Sequence, residues 1–189
     1  MLVGSIDIGI RNIGLCQYDS ETRAVTYVEL LDLLYVPGTS KRLQLNDHSV
    51  VFLVRRAVEA RLEMFKQCDI VAIEKQMTRK MVLIQLAFEC ILDPYTCVFQ
   101  ISPRSVKSMF KTSRGNHSGN KKAAIAHLYS LLDESGIEKV SQFRKKDDVA
   151  DAILQAIYAA EHADALLKKK TDACVPAGRK KKRKRKRRK

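Results

Sequence analysis

The sequence is short of nearly everything that would staple, anchor or export a chain. Its five cysteines, Cys16, Cys68, Cys90, Cys97 and Cys174, are odd in number and never stand as a C-x-x-C pair. This argues against a disulfide framework or a zinc site and points to a reducing compartment. No apolar run approaches the ~18 residues of a membrane span, and the start Met-Leu-Val-Gly-Ser-Ile-Asp carries neither the basic segment nor the apolar stretch of a secretory signal. A soluble, non-secreted, intracellular protein without a membrane partner is therefore expected. Internal repeats are missing, as are clusters of His and Cys at metal-ligand spacing.

Acids are outnumbered: 21 Asp and Glu face 35 Lys and Arg, a formal net charge of +14. Eleven of those cations form the unbroken run Arg179 to Lys189; setting it aside leaves 24 against 21, or +3. The body is only mildly basic, and mutual repulsion keeps the run from folding. With 189 residues, 46% of them hydrophobic, one domain with a sizeable core is expected over residues 1–168, followed by a disordered basic tail over 169–189.

The opening stretch Leu2 to Leu15 reads as a strand buried on both faces, a turn at Gly9, and the start of a second strand at Gly14. Gly14 to Tyr18 and Ala24 to Leu34 continue it as an antiparallel meander that Pro37-Gly38-Thr39-Ser40 ends. Apolar residues at helical spacing predict a helix from Asp47 to about Lys66, then a strand over Asp69 to Glu74. A second helix over Met81 to Leu92 is apolar around its circumference, so it lies either deep in the core or against a second copy of the chain. Thr96 to Ile101 is a fifth strand, Lys111 to Asn120 a mobile loop, and Lys121 to Leu132 and Lys146 to Leu167 two more helices. Strands alternating with helices after a three-stranded start predict an α/β fold: a mixed five-stranded sheet, antiparallel meander first and parallel strands after, flanked by helices.

Two of these strands each carry one carboxylate in an apolar run, Asp7 and Glu74. An ionised acid so placed is costly unless compensated. A third acidic group, Asp147-Asp148-Val149-Ala150-Asp151, opens a helix, where residues three or four apart share a face with Cβ atoms roughly 5 to 6 Å apart. Asp148 with Asp151 satisfies that rule, as does Asp147 with Asp151; the same acids could equally cap the helix and complement its dipole. Oxygen ligands without His or Cys select a hard cation, Mg2+ with Mn2+ as a substitute. Two such ions roughly 3.5 to 4 Å apart can activate water against a phosphodiester and stabilise the leaving oxygen.

Ser5-Ile6-Asp7-Ile8-Gly9-Ile10-Arg11-Asn12, Ile73-Glu74-Lys75-Gln76 and Asp147-Asp148-Val149-Ala150-Asp151, in this order over about residues 2–167, resemble the motifs of RuvC-like Holliday junction resolvases. The likeness is to the poxvirus and related large-DNA-virus branch and to the fungal mitochondrial cruciform-cutting nucleases. It implies an RNase H-like fold, a homodimer, magnesium dependence, and paired nicks in branched DNA that leave 5′-phosphates and 3′-hydroxyls. By position, the acids would be Asp7, Glu74, Asp148 and Asp151. The family's basic residue at a helix start falls on Lys121-Lys122, with Lys122 the expected catalytic lysine. Bacterial members carry an aromatic wedge after the Glu, where this chain has Met77. Arg11, Met77, Arg79, Lys80, Lys107, Lys111, Arg114 and Lys121 are the expected DNA contacts, Arg104 a further basic residue near the site. For a viral chain the setting would be host cytoplasm or nucleus, and the basic run could serve either DNA binding or nuclear import.

Other readings share some of this. A hybrid- or flap-cutting RNase H-like nuclease would use the same acids and differ in substrate, and a noncatalytic DNA-binding protein would lack magnesium-dependent nicking. Actin-like ATPases also begin with Asp-x-Gly but need two domains and further Gly-rich phosphate loops, for which 189 residues are too few.

Overall fold

The computed structural model describes residues 1–35, 42–113 and 116–174. Five strands, β1 (Leu2–Asp7), β2 (Ile13–Asp19), β3 (Ala24–Leu31), β4 (Ile70–Glu74) and β5 (Cys97–Ile101), form one sheet in the order β3-β2-β1-β4-β5. The pairs β1/β2 and β2/β3 are antiparallel, and β1/β4 and β4/β5 parallel. This is the expected mixed sheet. The expected turn at Pro37–Ser40, Arg114 and the basic run lie outside the described residues.

Both faces of the sheet are covered, which is why its central strands read as nearly continuous apolar runs. On one face α1 (Val50–Glu59) and α3 (Arg79–Leu92) pack over Ile6, Ile13, Leu15, Val71 and Ile73 through Val54, Val58, Ile84 and Phe88, with Phe65 of the short α2 (Leu62–Lys66). The opposite face, with Val3, Cys16, Ile70 and Ala72, is covered by α4 (Pro103–Met109), α5 (His117–Leu131), α6 (Glu134–Ser141) and above all α7 (Lys146–Glu161). A final helix, α8, spans Ala163–Cys174.

Several boundaries differ from the sequence reading. The helix expected over Asp47–Lys66 breaks at Ala60 and Arg61, because the Arg61 side chain turns back: it donates to the Ala57 carbonyl at 3.0 Å and pairs with Glu29 on β3. The helix expected from Lys146 to Leu167 likewise breaks at His162, and α8 runs past residue 168 to Cys174. Residues 117–120 are helical rather than loop, since Asn116 caps α5 by accepting from the Gly119 amide at 2.6 Å. Two short helices escaped the periodicity altogether: α4, entered through Pro103, and α6, capped by Asp133 on the Gly136 amide at 2.8 Å. Of the two readings of α3, the structure bears out the core one: Ile84, Ala87, Phe88 and Leu92 are buried, whereas Leu86 and Cys90 are exposed, as are Val51 and Phe52 of α1. No described helix is long and apolar enough to cross a membrane.

Candidate active site

In a strand alternate residues share a face. Val3 and Ile70 belong to the core under α7, so Ser5 and Asp7 on β1, and Ala72 and Glu74 on β4, lie on that same face. Ile6 pairs with Ile73 across the parallel ladder, which places Asp7 and Glu74 side by side at the carboxyl ends of their strands. Open α/β sheets present ligand sites at this edge.

The first turn of α7 crosses the same corner. Gly14, the ladder partner of Asp7, lies so close to α7 that a Cβ on it would stand 2.5 Å from the Asp148 carbonyl oxygen. The helix thus brings Asp148 and Asp151 to Asp7 and Glu74, on one side of the sheet. Their fields overlap: burial pushes the Asp7 carboxyl well above the ordinary range, and Glu74, Asp151 and Asp148 push it further. Asp151 is raised to about 6, chiefly by burial, with Lys107 opposing and Glu74 and Asp148 reinforcing. Burial, then Asp147, raises Asp148 too.

Asp147 is set apart from this cluster. Although burial works against its charge, its bond to the Lys121 ammonium brings it below the ordinary range, and Lys121 is raised in turn. So the lysine at the acids is Lys121. The expected Lys122 lies one residue on, about 100° around the helix, and is exposed. A cleft beside the acids is lined by Glu74, Asp151, Lys107, Thr112 and Gln155.

Among the described residues no group of three or more His, Cys, Asp or Glu side chains is drawn together tightly enough to hold a metal ion as it stands. Glu74 is bonded to the Gln76 side-chain amide instead. The donor set nevertheless fits a hard cation. It is oxygen only, its acids repel one another, and Asp148 Oδ2 is the one buried side-chain oxygen or nitrogen among the described residues without a hydrogen-bond partner. A cation would supply what that atom and the crowded charges lack.

Around the site, the sequence-predicted DNA contacts are distributed unevenly. Arg11 is exposed on the loop after β1, Lys107 lines the cleft, and Lys80 and Lys111 are exposed. Arg79 is engaged with Asp47 at 3.0 Å. Met77 is 95% exposed on the loop directly after Glu74. That loop is held from behind: the Gln76 amide donates to Gln85 Oε1 at 2.7 Å, and Gln85 Nε2 to Glu89 at 2.8 Å. Sequence reasoning missed Gln85 and Gln155. Both are lone amides inside apolar helical stripes, and that incongruity was the available signal.

The family model described as poxvirus A22 protein matches residues 1–162. The chain belongs to the poxvirus A22 protein family. Membership bears out the resemblance carried by the three motifs. The fold agrees with solved structures of the same architecture. The fowlpox virus resolvase solved with its Holliday junction substrate is 19% identical, with 86% of this chain and 99% of that one covered and a TM-score of 0.61. The yeast mitochondrial Holliday junction resolvase Ydc2 is 18% identical over 91% and 84% of the two chains, with a TM-score of 0.65. Thermus thermophilus RuvC is 19% identical over 87% and 96%, with a TM-score of 0.61. No curated protein sequence matches the chain.

Proposed function

We propose that Asp7, Glu74, Asp148 and Asp151 are the cation-holding acids of a junction-resolving endonuclease, that the ion is Mg2+ with Mn2+ as a substitute, and that two copies act on one four-way junction. The chain is a structure-selective nuclease of the poxvirus A22 family. The observation that carries the assignment of residues is the meeting of strand-borne and helix-borne acids on one face of the sheet. Magnesium would lower the barrier by activating water and stabilising the leaving oxygen. The hydroxyl of that water joins phosphorus, the bond to O3′ breaks, and a proton ends on O3′, leaving 5′-phosphate and 3′-hydroxyl ends.

The remaining residues divide the work by position. Lys121, held at the acids by Asp147, is placed to stabilise charge growing on the scissile phosphate. Lys107 faces the cleft, and Arg11, Lys80, Lys111 and the basic run 179–189 add sequence-independent grip on phosphates. Met77, apolar and projecting, fits a wedge that unstacks bases at the branch point. The exposed apolar residues Val51, Phe52 and Leu86 on α1 and α3 favour a second copy as their cover, and a twofold dimer matches the approximate twofold symmetry of the substrate. Shape and deformability of the branch, rather than base edges, then set selectivity.

Incubated with a mobile four-way junction and Mg2+, the protein is expected to nick opposed strands at symmetric positions and to leave linear duplex uncut. Equal cutting of an RNA–DNA hybrid would mark a hybrid-directed nuclease instead, and no nicking at any divalent concentration a noncatalytic binder. Lys121→Met should lower single-turnover cleavage about 100-fold with junction affinity unchanged, on the scale of losing one transition-state donor. Lys122→Met should stay within about twofold, as exposed substitutions away from a site do. The reverse ranking would return the role to Lys122.

A further inference from the structure

We propose that Gln155 is a positioning residue of this site, whose amide sets how far along the sheet the acids of α7 stand from those of β1 and β4. The inference rests on the reading of the four acids as a cation site. Gln155 lies one turn beyond Asp151 and is the only polar side chain among the buried residues of α7. Its Nε2 shares two N–H groups among three acceptors, Ser5 Oγ at 3.0 Å, the Ile6 carbonyl at 3.1 Å and the Ala72 carbonyl at 3.2 Å. Ser5 and Ala72 are ladder partners, and each stands two residues before a site acid on the same face. One amide therefore sits astride β1 and β4, one pleat below Asp7 and Glu74.

The physical need for such a pin follows from what surrounds it. Apart from Gln155, the face that α7 lays on the sheet is made of Val149, Ala152, Ile153, Ala156 and similar residues. Apolar contact of this kind is non-directional: it holds the helix down but only weakly opposes sliding along the strands. Hydrogen bonds are directional and lengthen at once when the helix shifts. A slide of one helical residue is about 1.5 Å, enough to take Asp148 and Asp151 out of register with a shared ion. Burying an amide in this layer makes sense if register matters more than packing.

Two variants of the full-length protein test this, each read by direct Mn2+ binding to DNA-free protein and by junction affinity in calcium. Gln155→Leu keeps the volume and removes the donor. It should weaken Mn2+ binding about tenfold or more, the usual cost of removing a residue that orients ligands. The Mg2+ concentration for half-maximal cleavage should rise by the same factor, with junction affinity within twofold of wild type on the order of experimental scatter. Ser5→Ala removes one of the three acceptors with little change in volume and should shift Mn2+ binding the same way by about threefold. Should the leucine variant fail to fold, the alanine variant decides by itself. Folded variants with wild-type Mn2+ affinity and lowered melting temperature would overturn the proposal and leave Gln155 an ordinary core contact. Wild-type protein that binds no Mn2+ would instead overturn the cation site, and this proposal with it.

Discussion

Asp7→Asn should slow junction cleavage by at least about 1,000-fold, hold junction affinity within about threefold, and raise the melting temperature in chelator by about 2–4 °C. The first effect follows from removing one of the four proposed oxygen ligands and one charge from the centre where β1, β4 and α7 meet. The last follows from linkage. Burial, with Glu74 and Asp151 beside it, makes the folded state hold the Asp7 proton more tightly than the unfolded chain does. Such a group contributes stability that is fully present below the unfolded pKa of about 3.9 and is lost as pH rises through the raised folded value. At neutral pH and without a cation the acids therefore strain the fold, and asparagine relieves the strain at the expense of function. Stopped-flow or gel cleavage, junction binding in calcium, and thermal melts in chelator read the three effects. Lost junction binding together with a lower melting temperature would show Asp7 to be a structural cap.

Gly14→Ala should destabilise the protein by about 3 kcal/mol or more, lowering the melting temperature by about 6–12 °C, because the new methyl group has nowhere to go. Its ideal position is 2.5 Å from the Asp148 carbonyl oxygen and 2.9 Å from the Ala152 Cβ. Backbone on one side and a helix Cβ on the other cannot yield as a flexible side chain would. The relief open to the molecule is for α7 to lift off β2, and that carries Asp148 and Asp151 away from Asp7. Cleavage well below the melting temperature should fall about 100-fold, the scale on which an ångström of misplacement acts. An alanine variant as stable and as active as wild type would mean that α7 does not sit where these contacts put it.

Glycine 14 also marks where sequence reading stops. In the linear pattern it looks like punctuation before a strand, whereas in the fold it is a clearance for the helix that brings two of the four acids. Nothing local distinguishes these. Lys121 and Lys122 pose the same problem at the start of α5: both are helix-start lysines, and only the rotation of that helix against α7 turns Lys121 to Asp147. Asp147 and Asp148 divide similarly, one tied to the lysine and the other left with a buried oxygen free of hydrogen bonds. Gln155 is legible as an oddity in an apolar stripe, but its partners Ser5 and Ala72 are 150 and 83 residues away.

The five strands, the placing of Asp7 and Glu74 at strand ends and the presence of an acidic pair sharing a face in the first turns of α7 were all determined by the sequence alone. Each depends on periodicity within a dozen residues, which the chain states directly. Tertiary structure alone decided that the acids share a face, which lysine joins them, and how closely the helix rides on the sheet. Those outcomes depend on helix rotation and sheet register, set by contacts between residues far apart in the chain, and no local pattern records them.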